Sequence, residues 1–111
     1  RIYYIPGCAE VPDWLLARVE GADLILFDGT VFDDDEMARE GLGTKTGSRM
    51  GHVAIGGPGG TLERFAGSRI GRKILIHINN TNPVLRPDSP ERAAVAAAGW
   101  EVALDGMEVI P

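Results

Sequence analysis

Three side chains in this sequence have the chemistry of a metal or acid–base centre. They are Asp28, His52 and His77: the only two histidines of the chain and the acid best placed to join them. A carboxylate and neutral imidazoles suit zinc, iron or manganese, and an open coordination position on such an ion permits hydrolysis or oxygen chemistry. The three are too widely spaced for a local metal motif, so only the fold can assemble them. His77 lies in Ile74-Leu-Ile-His-Ile-Asn-Asn-Thr-Asn-Pro83. The β-branched first half reads as a short buried strand entered through Arg72-Lys73. Asn79, Asn80 and Asn82 favour turns, and Pro83 lacks the donor a ladder needs. His77 is therefore expected at a strand end where a polar loop begins, the place where open α/β folds carry their chemistry. The competing reading is a core histidine bonded to a backbone carbonyl. Ala22–Thr30 repeats the pattern, an apolar run closing on Asp28-Gly29, so Asp28 and His77 are expected at matching ends of two strands in one sheet. His52, in Met50-Gly-His-Val-Ala54, is expected to face the same rim from a loop, with a solvated loop histidine as its alternative.

The elements that must hold these residues follow from periodicity and punctuation. Ile2–Ile5 reads as a strand stopped by Pro6-Gly7. Apolar residues at 11, 15, 16 and 19 mark a helix over Pro12–Glu20, which Gly21 ends. Leu24–Phe27 is the next strand, and strand, helix, strand with short joints implies parallel neighbours. Asp33-Asp-Asp-Glu36 opens a short helix through Arg39, its acids suiting the macrodipole. Gly56-Gly-Pro-Gly-Gly60 has neither the lysine nor the Ser/Thr of a phosphate cradle and reads as a turn. A short helix over Leu62–Ala66 precedes a strand over Lys73–Ile78. Ser89-Pro90 is a helix start with Ser as cap, and the alanine-rich run stops at Gly99. Asp105-Gly106 between two alternating segments signals a hairpin.

Bulk properties narrow the partners. The 111 residues suit one domain or part of one, and 44% apolar content can supply a core. A net charge of -5 without a basic stripe argues against nucleic acid. No run approaches the roughly 18 apolar residues of a membrane span. The single cysteine, Cys8, forbids an internal disulfide, fits a cytoplasmic setting and reads as a packing residue. Trp14 and Trp100 read as core or edge anchors. Because Arg1-Ile-Tyr-Tyr-Ile-Pro-Gly7 starts at once in strand-like sequence, the chain is expected to be the C-terminal piece of a longer protein.

Several motifs together resemble one family. Phe27-Asp-Gly-Thr30, Asp34-Asp-Glu-Met37, Gly43-Thr44 with Thr46-Gly47, Met50-Gly-His52, Ile76-His-Ile-Asn-Asn-Thr-Asn-Pro83, Asp88-Ser-Pro-Glu-Arg92 and Asp105-Gly-Met107 look like the coenzyme PQQ (pyrroloquinoline quinone) synthesis protein B family. The resemblance implies an α/β fold, the C-terminal half of a metallo-β-lactamase-type αββα sandwich. That half would be one mixed sheet with helices on its outer face, residues 1–111 forming part of a single domain. It implies that Asp28 and His77 are metal ligands, Asp28 matching the late acid of the superfamily and His77 its final histidine. His52 matches a position near the scissile group of related hydrolases, which implies either an acid–base role or support of the metal ligands from behind. The His-x-His-x-Asp-His cluster that supplies most ligands in the superfamily is absent from this chain and would lie in an N-terminal half.

The implied function is PQQ biosynthesis by metal-dependent oxidation or hydroxylation of a tyrosine in a peptide precursor, with iron or zinc in the complete protein and none tightly bound to this piece alone. A non-catalytic carrier of PQQ or its precursor is the rival, and an inactive structural fragment the third reading. A carrier of a tricarboxylate would need cations, for which Arg49, Arg72, Lys73 and Arg86 are the candidates. The expected partners are the PQQ precursor, the N-terminal half of the same protein, and a second copy by self-association.

Overall fold

The computed structural model describes residues 1–33 and 51–103. The helix expected from Asp33 through Arg39, Arg49 and the Asp105-Gly106 hairpin therefore lie wholly or largely outside the described residues. Within the described residues four strands, β1 (Ile2–Ile5), β2 (Leu24–Asp28), β3 (Arg72–Ile76) and β4 (Trp100–Val102), form one sheet in the order β1-β2-β3-β4. Every pairing among them is parallel. The mixed sheet of the sequence reading is thus purely parallel in its described part, since the one antiparallel element expected was the hairpin at Asp105-Gly106. Parallel strands need crossovers, and these carry the helices α1 (Asp13–Val19), α2 (Thr61–Arg64) and α3 (Pro90–Ala97).

Local signals set most boundaries. Pro12 caps α1 in extended conformation, and Gly21 follows it at a φ of 79°. Ser89 caps α3 by accepting the Arg92 N–H at 3.0 Å, with Pro90 in the first turn and Gly99 beyond the end at a φ of 84°. Gly56–Gly60 is a turn, with Gly57 and Gly59 at positive φ. The third strand is shorter than its composition suggests: it ends at Ile76, because His77 adopts a φ of 57° that no strand continues through.

Alternation along the strands separates two faces. Ile25, Phe27, Leu75, Trp100 and Val102 point into a core closed by Leu15 and Val19 of α1, Phe65 after α2 and Val95 of α3. Phe27, Phe65 and Trp100 meet there at ring separations of 5.1 to 6.2 Å. Each fully buried large side chain in this layer contributes about 1.5–3 kcal/mol, so the core fixes the sheet that the site stands on. The opposite face carries Ile2, Tyr4, Leu24, Leu26, Ile74, Ile76 and, at its C-terminal edge, Asp28. Ile2 and Tyr4 there are 54% and 68% exposed.

Candidate metal centre

Because the strands are parallel, their C-terminal ends share one rim, and Asp28, His52 and His77 meet on it. Asp28 closes β2 and is fully buried. Both of its oxygens are engaged. Oδ1 accepts the Thr30 hydroxyl at 2.7 Å and the Thr30 N–H at 3.0 Å. Oδ2 lies 3.1 Å from the Cys8 N–H and 2.9 Å from His52 Nδ1. A buried carboxylate is tolerated only with such a partner set.

The turn after Asp28 is pinned from beneath. A Cβ on Gly29 would lie 2.6 Å from Ile78 Cδ1 and 2.9 Å from Leu75 Cβ, so only glycine lets the turn lie this close to β3. Gly29 donates to the Ile76 carbonyl at 2.7 Å. Asn82, buried in the loop after β3, donates to the Gly29 carbonyl at 2.9 Å and accepts the Val84 N–H at 3.0 Å. It thereby ties the Asp28-Gly29-Thr30 turn to the 3-10 turn Pro83–Leu85.

The two imidazoles arrive from different loops. His77, the first residue past β3, is exposed and sets Nδ1 2.9 Å from the Thr30 hydroxyl. His52 is half-buried, with Nδ1 3.1 Å from the same hydroxyl. Its neighbour Val53 donates to the Cys8 carbonyl, and Ala54 bridges to Val31, which holds the 51–55 segment over the rim. The two rings stack at 5.5 Å with 23° between their planes. One ligand atom from each of Asp28, His52 and His77 lies within 4.8 Å of the others. One carboxylate with two imidazoles is a donor set that fits zinc or iron.

Cys8 supplies its backbone rather than its sulfur. Burial, reinforced by the negative charges of Asp28 and Glu10, pushes its thiol above the ordinary value, the reverse of an activated nucleophile. Arg72 and Lys73 stand at the entry of β3, at the opposite rim from His77. Arg72 forms a two-pronged ion pair with Glu101 at 2.6 and 2.9 Å, and Lys73 lies over the Trp100 ring. These two of the four cations considered for a carrier are therefore remote from the site. A cleft of about 380 Å³ is lined by Glu10, Val53, Ala54 and Gly60, Val53 being the residue after His52. A larger one of about 620 Å³, between Gly21 and Arg72, lies at the far rim.

Sequence reasoning missed Thr30, Asn82 and the Cys8 amide. Their signals were available only in part: Thr30 follows the Asp-Gly pair, and Asn82 precedes a proline. Neither type announces a polar hub without the contacts around it.

Residues 1–78 match the model of the β-lactamase superfamily domain. Coenzyme PQQ synthesis protein B of Methylorubrum populi is 61% identical over 107 residues, covering 96% of this chain and 36% of that protein. Its counterpart in Xanthomonas campestris pv. campestris is 59% identical over 109 residues, covering 98% and 36%. The crystal structure of zinc-bound PqqB from Methylobacterium extorquens superposes with a TM-score of 0.90 at 59% identity, covering 94% of this chain and 37% of that one. The chain spans little more than a third of the length of these relatives. It belongs to the β-lactamase superfamily and is similar, over nearly all of its length, to coenzyme PQQ synthesis protein B.

Proposed function

We propose that this chain forms the C-terminal part of a metal-dependent enzyme of PQQ biosynthesis that oxidises or hydroxylates a tyrosine of a peptide precursor. The observation that carries the proposal is the convergence of Asp28, His52 and His77 from three separate segments on one rim of the sheet. Support comes from the 61% identical relative named for PQQ synthesis and from the zinc-bound neighbour. Zinc or iron held here would supply Lewis acidity, and iron also oxygen chemistry. Asp28, in exchange for one of its present hydrogen bonds, and His77 would be this chain's ligands, the remainder coming from the rest of the polypeptide. His52 would hold or pass a proton at the substrate, because its ring contacts the acid and the next residue, Val53, lines a cleft. Arg72 and Lys73 stand at the opposite rim, engaged with Glu101 and Trp100, so neither would grip a tricarboxylate at this site. Metal analysis and single-turnover product analysis on the complete protein test the reading. Stoichiometric metal with an oxidised or hydroxylated tyrosine supports it. Binding of product or precursor without turnover would establish a carrier instead.

We further propose that the sheet face bearing Ile2, Tyr4, Leu26 and Ile76 packs against the rest of the same polypeptide, completing the sandwich typical of the superfamily. Ile2 and Tyr4 are the exposed large apolar side chains on that face, and each one left wet forgoes about 1.5–3 kcal/mol of burial, a sizeable share of a domain's stability. Residues 1–111 alone should therefore self-associate on sizing. A compact monomer with stoichiometric metal would refute the half-domain reading.

A further inference from the structure

The Thr30 hydroxyl stands among three groups that could each accept its proton. Asp28 Oδ1 is 2.7 Å away, His77 Nδ1 2.9 Å and His52 Nδ1 3.1 Å. Thr30 itself is only 6% exposed, so water does not simplify the choice. A hydroxyl has one donor and two acceptor lone pairs. Its contact with the carboxylate is the shortest of the three and is charge-assisted. Were the proton turned to either ring, oxygen lone pairs would face each other between Thr30 and a fully buried acid, an unmade hydrogen bond of the most costly kind. With the proton on Asp28, both imidazoles must bring an N–H to the Thr30 oxygen. His52 meets the same requirement a second time, since its Nδ1 also lies 2.9 Å from Asp28 Oδ2, which can only accept.

We infer that Thr30 is a positioning residue that fixes both histidines as Nδ1–H tautomers, leaving the two Nε2 lone pairs for a metal ion or a substrate proton. The use of those lone pairs rests on the proposed function; the tautomers do not. A hydrogen bond to the distal ring nitrogen is the usual device by which a protein orients an imidazole ligand. Here one hydroxyl serves two rings and their neighbouring acid at once. The two histidines are not equally dependent on it. His52 keeps Asp28 as an acceptor if Thr30 is lost, whereas the contact found at His77 Nδ1 is with Thr30.

The test is nitrogen NMR on the metal-free complete protein carrying ¹⁵N-labelled histidine, about two pH units above the ordinary imidazole value. The tautomer of a neutral ring is then read directly, with His52→Gln and His77→Gln assigning the signals. Both rings should be Nδ1–H in the wild type. Thr30→Val should move His77 toward the Nε2–H form and His52 less, and Thr30→Ser should keep both as in the wild type. Zinc affinity by chelator competition should fall roughly tenfold or more in Thr30→Val and little in Thr30→Ser. An Nε2–H form at either ring in the wild type would overturn the inference, as would a His77 tautomer indifferent to Thr30→Val. The wild-type and Thr30→Ser spectra decide it even if the valine variant does not fold. Because no metal or substrate is present, failure to find metal or turnover would sink the proposed function and leave this result standing.

Discussion

Asp28 is paired with Ile76 in the parallel register of β2 and β3, which leaves His77 as the first residue beyond their common end. That one-residue offset lets the acid stay buried while the imidazole stands exposed, with the Thr30 hydroxyl within hydrogen-bond reach of both. A shared site at the end of two strands is thus a consequence of register, and it distinguishes the roles of the three residues.

In the complete protein, His77→Ala and Asp28→Asn should each lower bound metal, read by elemental analysis. His52→Ala should lower turnover while leaving metal content near that of the wild type. Loss of metal in the His52 variant would make it a ligand and the proton-handling assignment wrong.

Asn82 spans the turn after β2 and the loop after β3. Asn82→Ala leaves the Gly29 carbonyl and the Val84 N–H short of partners in a buried place. The expected loss is about 1–3 kcal/mol, measured as a lower denaturation midpoint with the slope unchanged. Because the turn carries Asp28, metal affinity should fall as well. A variant as stable as the wild type would show that the tie is incidental.

Gly29 has no room for a methyl group. Gly29→Ala must displace Leu75, Ile78 or the Ile76 carbonyl, and overpacking of this kind costs about 1–3 kcal/mol. Gly67 faces open space, so Gly67→Ala is the control and should be tolerated far better. Comparable midpoints for the two variants would contradict the close approach.

The Arg72–Glu101 pair joins β3 to β4, and its hydrogen bonds to Arg72 hold the Glu101 carboxyl below its ordinary value. A depressed folded value stabilises above the unfolded one and is lost as pH falls through the folded one. The advantage of wild type over Glu101→Gln should therefore be present at neutral pH, shrink below the ordinary glutamate range, and weaken in high salt. It should be small, because the pair is largely solvent-exposed. An advantage that grows in acid would have the wrong sign for this mechanism.

Local sequence determined most of the scaffold. Periodicity and punctuation marked β1, α1, β2 and α3, because alternation, a serine cap and glycine stops act within a few residues and need no tertiary partner. The run from Ile74 to Asn82 also announced a strand turning into a polar loop with His77 at the junction. Contacts between distant segments decided the rest. Nothing local ends β3 at Ile76, since Ile78 is as good a strand former as Ile74; the left-handed turn at His77 does so, beside the hydroxyl of Thr30. His52 reads equally well as a solvated loop residue until the Cys8 carbonyl and Asp28 hold its segment over the rim. Thr30 and Asn82 carry no signature of their own, because a hydroxyl and an amide become a hub only when other chain segments bring them donors and acceptors. Sequence could name the groups able to do chemistry; parallel register and loop closure alone brought them within reach of one another.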